Sequence, residues 1–452
     1  MDRKSNRIRV GNQDKEDRIS SLPDSVLCHI LSFLPTKYAV ATSILSSRWN
    51  LVWSSLPSLC FDDRLCLEYK RTNRLTNDAS TRFENFVNRV LVVSQQLNID
   101  KFSLNCFKIR YPACLKLWVS AAIMRNVREI ELNLKHQNRV ELPESIYTCK
   151  TLEVLKLDSD FTIKIPPSGT CFPSLKIFRV VMYYPDNDLT ERLFSMCPVL
   201  EDLSIEGFLD DDDLAINFNI SSSTLKRLEV TLTKDGTRSY NEHKVIIRAP
   251  NLEQLYIGDF VFVSYMVHEL HSLSKAFIDV FYMGEGEILA DRVLQLLKDI
   301  TKAQFLSLLT GTISALDHAY ENSFPVFPNL TCLKVEVRRF GWRMLPIILN
   351  SSPNLETFVF EKDGSFGFVE EEFGWIESQS VPHCLLLRVK KIEIRGFEGR
   401  KDELRVIKYL LKNSEVLDRI IIRSYRKPLK RKLCQKLLMF ERGSKTCQVE
   451  FV

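Results

Sequence analysis

One phrase recurs along the chain. CPVLEDLSI at residues 197–205 returns as APNLEQLYI at 249–257, FPNLTCLKV at 327–335 and SPNLETFVF at 352–360. Looser copies are CKTLEVLKL from Cys149, FPSLKIFRV from Phe172 and SSTLKRLEV from Ser222. The shared skeleton is apolar at i, i+3 and i+5. With the leading apolar residue as marker, Leu152, Leu175, Leu200, Leu225 and Leu252 lie 23, 25, 25 and 27 residues apart, and Leu330 and Leu355 lie 25 apart. Weaker copies are led by Ile99, Val127, Leu273, Ala303, Val389 and Leu417. A repeat this long cannot bury its apolar face alone. It must stack on its neighbours, which predicts a solenoid rather than a closed globule.

A period near 25 with an L-x-x-L-x-L core reads as a leucine-rich repeat. Positions i+3 and i+5 of a short strand point into a shared core, and successive strands form a parallel ladder. Several return segments read as helices: FENFVNRVLVVSQQ, LKLWVSAAIM, LTERLFSMC, ADRVLQLLKDI and MLPIILNSS. The Cys or Ala ahead of many copies is expected as a small buried corner residue. Positions i+2 and i+4 face outward, among them Glu129, Glu131, Lys156, Arg179, Arg227, Glu229 and Tyr256. This mixed-charge surface suits protein recognition better than nucleic acid, and these seven residues are the candidate substrate-binding positions.

The N-terminal segment differs. Residues 1–17 are charged and poor in apolar side chains, and read as a disordered tail. In LPDSVLCHILSFLP, Leu22, Val26, Leu27, Ile30, Leu31 and Leu34 give a wide apolar helix face. Pro23 and Asp24 suit its first turn, and Pro35 stops it. Thr36 is placed to cap a second helix, and Ser46 or Ser47 a third that carries Trp49 and Trp53 one turn apart. About 40 residues in three short helices rarely fold alone. Their apolar surface therefore either packs on the next domain or meets another protein.

The stretch LPDSVLCHILSFLPTKYAVATSILSSRWNLVWSSLPSLCFD resembles an F-box, through its Leu-Pro opening, Ile-Leu-Ser-x-Leu-Pro centre, Thr-Ser-x-Leu-Ser-x-Arg-Trp block and trailing Trp. The resemblance implies docking on a Skp-type adaptor, and through it on a cullin scaffold of a ubiquitin ligase. Carried onto this chain, the adaptor-binding residues would be Leu22, Pro23, Leu27, Ile30, Leu31, Leu34, Pro35, Val40, Leu45 and Trp49. Trp53 is expected to pack against the first repeat.

From residue 376 the spacing of 25 breaks down. The stretch reads strand, glycine-bearing loop, helix, strand, with Leu404, Ile407, Leu410 and Leu411 as a helical stripe. It resembles the FBD domain of plant F-box proteins, through Val381 and Pro382, Cys384 and Leu385, the Gly396-Phe397 turn, Leu410-Leu411-x-Asn413 and Phe440-x-Arg442-x-Ser444. His383 departs from the pattern, where an acid is usual. The basic run RSYRKPLKRKLCQKLL reads as a helix with a solvated basic face and Leu433, Leu437 and Leu438 inward, in preference to a nuclear import signal or nucleic-acid patch, with a closing strand following near CQVEFV. The four-aspartate run Asp210–Asp213 reads as a solvated turn, lacking the alternation of a calcium loop.

The expected architecture is α/β: a short three-helix F-box at 18–58, an irregular leucine-rich-repeat solenoid with a parallel strand ladder at 80–375, and an FBD domain at 376–452. The 62 basic and 57 acidic residues leave a net charge of +5, too balanced for a nucleic-acid partner. No apolar run is long enough to span a membrane. The polar N-terminus and twelve cysteines without CxxC pairs suit a reduced compartment, the nucleus or cytoplasm or both. No P-loop, G-x-S-x-G or G-x-G-x-x-G is present, and HELH at 268–271 lacks metalloprotease spacing. The expectation is a non-catalytic substrate receptor of a Skp–cullin–F-box ligase, with no cofactor or metal and an unknown protein substrate. The alternative is a scaffold that engages the adaptor without delivering substrates.

Overall fold

A computed structural model describes residues 18–65, 77–107, 109–135, 140–159, 161–163, 171–183, 192–209, 217–234, 243–260, 263–268, 270–281, 286–318, 324–337, 342–362, 375, 377, 380–425 and 429–452. The tail at 1–17 and the acidic run at 210–213 lie outside these residues. The chain divides into two compact units, 1–137 and 138–452.

In the first unit, helices Asp24–Ser32 and Thr36–Ala41 are followed by the single 3-10 turns Thr42–Ile44, Ser47–Trp49 and Val52–Ser55. Pro23 and Pro35 occupy the two N-cap positions, so Thr36 is a first helical residue rather than a cap. Its buried hydroxyl instead accepts the Cys60 backbone N–H at 2.8 Å, tying the second helix to strand Ser58–Asp62. The expected third helix is two separate turns, because Leu51 at φ −122° and ψ 4° leaves the helical region between them. Strand Ser58–Asp62 pairs in parallel with Lys101–Cys106, which pairs with Glu129–Leu134. Helices Asn77–Val93 and Pro112–Ile123 form the returns. The Trp118 indole, deep in the core, donates to Asn88 Oδ1 at 2.7 Å.

The second unit carries a parallel ladder. Its described strands are Val154–Asp158, Ile177–Tyr183, Asp202–Leu209, Arg227–Lys234, Gln254–Asp259, Lys275–Val280, Phe305–Leu308, Cys332–Val337, Thr357–Lys362, Lys391–Arg395, Arg419–Ile422 and Gln448–Phe451. All thirteen expected lead residues of the chain are buried, and a strand starts two residues after each. The leads fix the register. Val154, Ile177, Asp202, Arg227 and Gln254 stand opposite one another in turn. The same phase continues through Lys275, Phe305, Cys332, Thr357, Lys391, Arg419 and Gln448. The residues from 376 on thus break the sequence spacing but extend the same ladder.

Corner hydrogen bonds run in series ahead of the strands. The carbonyls of Lys176, Glu201, Lys226, Glu253, Ser274 and Gln304 each accept N–H groups from the next repeat at 2.8–3.1 Å. Stacking therefore satisfies the backbone as well as burying side chains. Cys149, Cys197 and Ala249 are the buried small corner residues expected.

Two features differ from the sequence reading. Between residues 217 and 268 the returns are strands. Asn217–Ser221, His243–Arg248 and Val263–His268 form a second parallel sheet. The alternating Phe218, Ile220, Val245, Ile247, Val263 and Tyr265 supply its buried face. In the basic helix Arg431–Leu438, Leu437 is buried and Leu433 half-buried, but Leu438 points to solvent, because the next helical position turns about 100° away from Leu437.

Candidate protein-docking sites

The N-terminal helices are apolar on two faces. Inward, Leu27 (0% exposed), Leu31 (2%) and Ala39 meet the turn Val52–Ser55. Trp49 (5% exposed) lies inside, and its Nε1 donates to Ser20 Oγ at 2.9 Å. Arg48 clamps the start of the first helix, donating to Asp24 Oδ1 at 3.0 Å and to the Leu22 carbonyl. Trp53 is buried with its Nε1 on the Asn50 carbonyl. Its turn packs on the first helix, and the Ser54 carbonyl accepts the Gln95 N–H ahead of the first repeat.

Outward, Val26, Ile30 and Leu34 follow one another at helical spacing, with Phe33 (75% exposed) beside them. Tyr38, Ile44 (87%), Leu45 (66%), Leu51 and Ile19 add further exposed apolar surface. Soluble monomers rarely expose this many large apolar side chains within one short segment. The ten adaptor-binding expectations divide accordingly. Pro23, Ile30, Leu34 and Leu45 are exposed, and Leu22, Pro35 and Val40 are half-buried. Leu27, Leu31 and Trp49 are buried in the helical core of the chain. Ile19, Val26, Phe33, Tyr38, Ile44 and Leu51 were not in the expected set.

The outward face of the strands is the second candidate. In the first unit Glu129 and Glu131 both bind the Lys101 ammonium, at 3.2 and 2.8 Å. Burial alone would lower that ammonium, but the two carboxylates override it and raise it. In the second unit, register puts Lys156, Arg179, Ser204, Glu229 and Tyr256 in one row. Arg227 stands one row away, its Nε on Asp202 Oδ2 at 2.9 Å. The row continues through Phe277, Ser307, Lys334, Val359 and Glu393. Phe277 and Phe305 stand outside the expected set because the copies led by Leu273 and Ala303 match the repeat only weakly.

At the C-terminal end the acids are matched. Glu361 pairs ionically with the Lys334 ammonium at 2.8 Å, accepts from Tyr425, and lies 3.6 Å from Arg395. Glu393 accepts from Arg395 at 2.9 Å and Arg423 at 2.8 Å. Burial pushes both carboxyls up, but these donors override it and hold them below the ordinary 4.5. Their stabilising contribution is complete above pH 4.5 and is lost as pH falls through the lower folded-state values. Glu393→Gln is therefore expected to melt below the wild type at about pH 7, with a gap that shrinks at about pH 3.5. Thermal unfolding at both pH values checks this, and an equal gap at both would contradict it.

The same regions match known families. The F-box domain profile matches residues 19–61, the FBD profile 377–422, and the profile of the leucine-rich repeats of FBD-associated F-box protein At5g56370 matches 115–271. Three relatives come from Arabidopsis thaliana. F-box/FBD/LRR-repeat protein At1g78750 is 31% identical over 92% of this chain and 92% of its own length. F-box protein At3g03040 is 33% identical over 87% of each. FBD-associated F-box protein At5g22730 is 30% identical over 96% of this chain and 94% of its own. With an outward apolar face on its N-terminal helices and a repeat ladder later in the sequence, the chain belongs to the plant F-box/FBD/leucine-rich-repeat family.

Proposed function

We propose that this chain is the substrate-recognition subunit of a Skp–cullin–F-box ubiquitin ligase, acting in the nucleus or cytoplasm. The observation that carries the proposal is the apolar stripe Val26, Ile30, Phe33 and Leu34, continued by Ile44 and Leu45. These side chains are the kind of anchor that dominates a protein interface. On this reading they dock the Skp-type adaptor, with Leu22, Pro23, Pro35 and Val40 at the margin. The adaptor brings the cullin scaffold, and the outward strand face holds the protein to be modified. The receptor has no bond to make or break. It raises the effective concentration of substrate lysines near the charged ubiquitin carrier.

The test is reconstitution of the full chain with a Skp-type adaptor, cullin, RING subunit and ubiquitin-charged carrier. The expected result is cullin that co-elutes only when adaptor is present, and ubiquitin transfer to the chain itself that requires the assembly. An adaptor complex that never recruits cullin would favour the scaffold reading instead.

A further inference from the structure

The two ends of the outward ladder face in the second unit differ in charge pairing. Glu361 and Glu393, toward the C-terminus, each bind cations of the chain itself. Nearer the middle the acids surround aromatic rings instead. Tyr256 lies between Glu229 and Phe277 in register. The Tyr256 and Phe277 ring centroids are 6.5 Å apart, and Phe277 and Phe305 are 5.1 Å apart, giving a half-exposed aromatic strip across three strands. Gly258, itself buried, stands in the next row between Thr231 and Asp279.

Among the described residues, Glu206, Glu229 and Asp279 form no ion pair with a cation of the chain. Burial, then Asp158 and Glu229, push the Glu206 carboxyl up, and burial pushes Asp279 up. The Tyr256 hydroxyl is raised by burial and then by Asp279 and Glu229, so both carboxylates act on the ring that they flank. Among the described residues, Glu229 accepts from the neutral Ser204 hydroxyl at 3.1 Å. Of the outward cations in the row before, Arg227 is engaged by Asp202, and Lys275 stands exposed beside Phe305. Carboxylates partly withdrawn from water beside ring faces are complementary to a positive charge with an apolar stem.

We propose that the outward face from strand Asp202–Leu209 to strand Phe305–Leu308 receives a basic segment of the substrate protein. One arginine or lysine lies over Tyr256 and Phe277, its charge held by Glu229 and Asp279, while Glu206, two strands from Tyr256, adds to the negative field. The proposal rests on the substrate-receptor reading and names the class of substrate that this surface selects. A neutral apolar segment gains the rings but leaves the carboxylates unmatched. An acidic segment is repelled.

The test uses the full chain bound to its adaptor, with a phage-displayed library of random dodecapeptides as the probe. Selected peptides are expected to be enriched about threefold or more in arginine and lysine over the input library. The best peptide should bind about tenfold or more weakly to a Glu206→Gln, Glu229→Gln, Asp279→Asn variant, and more weakly at about 0.5 M salt. Tyr256→Ala should weaken it comparably. Each variant is compared with wild type by melting temperature and by adaptor binding, which these substitutions are expected to leave unchanged. Selection of neutral apolar peptides that depend on Tyr256 but not on the acids would overturn the basic class while leaving the receptor reading intact. Selection of nothing, or binding indifferent to all these substitutions, would overturn the site. Failure of the ligase reading would show separately, as loss of cullin recruitment.

Discussion

Phe33→Ala with Leu45→Ala is expected to weaken adaptor binding about 100-fold or more, with little change in melting temperature. Both side chains are mostly in solvent, so truncating them removes interface area without opening a core. Leu27→Ala and Trp49→Ala should behave oppositely. Each empties an interior site and is expected to cost about 2–5 kcal/mol in folding stability. Adaptor binding would then fall only as far as the helices unfold. Calorimetric binding and circular-dichroism melting on the same variants separate the two effects. A fully folded Leu27→Ala variant that cannot bind, beside a Phe33→Ala, Leu45→Ala variant that binds normally, would return the docking role to the inner face.

The second large effect lies where the FBD segment joins the ladder. Lys362 ends strand Thr357–Lys362 and is nearly buried. Its ammonium donates to Glu398 at 2.6 Å and to Glu403 Oε1 at 2.8 Å. The other Glu403 oxygen accepts the backbone N–H groups of Glu398, Gly399 and Arg400 at 2.7–3.0 Å. One buried carboxylate thus closes the loop before helix Lys401–Asn413 and neutralises a buried cation. Gly399, at φ +84°, makes the loop possible, and a side chain there would collide with Leu433. Glu403→Ala is expected to destabilise the second unit by about 3–5 kcal/mol, since it leaves the buried ammonium with Glu398 at one side only and three N–H groups without their acceptor. Adding Lys362→Met should restore part of the loss by removing the under-compensated buried charge. Denaturant unfolding measures both. A loss below about 1 kcal/mol for Glu403→Ala would mean that water or Glu398 replaces the carboxylate.

The strand ladder was legible because its signal is local and redundant. A lead such as Leu200, with Leu203 and Ile205, specifies burial, strand and register within a few residues, and the phrase repeats. The second sheet was less legible. HKVIIR alternates as a strand should, but it sits where other repeats place helices, so the periodic frame assigned it no structure. The helices Asp24–Ser32 and Thr36–Ala41 could be placed from their prolines and apolar spacing. Which of their faces turns inward could not, because Leu27 and Ile30 look alike in sequence and only the packing of turn Val52–Ser55 distinguishes them. The contact between Lys362 and Glu403 spans 41 residues and follows from no pattern in either segment.

Hydrogen exchange on the full chain, free and saturated with a Skp-type adaptor, tests the central claim most directly. The account predicts a complex whose added protection is concentrated between Ile19 and Leu51, with the strands of the second unit unchanged. No complex with any Skp-type adaptor, or protection on the ladder with the N-terminal helices unaltered, would contradict it.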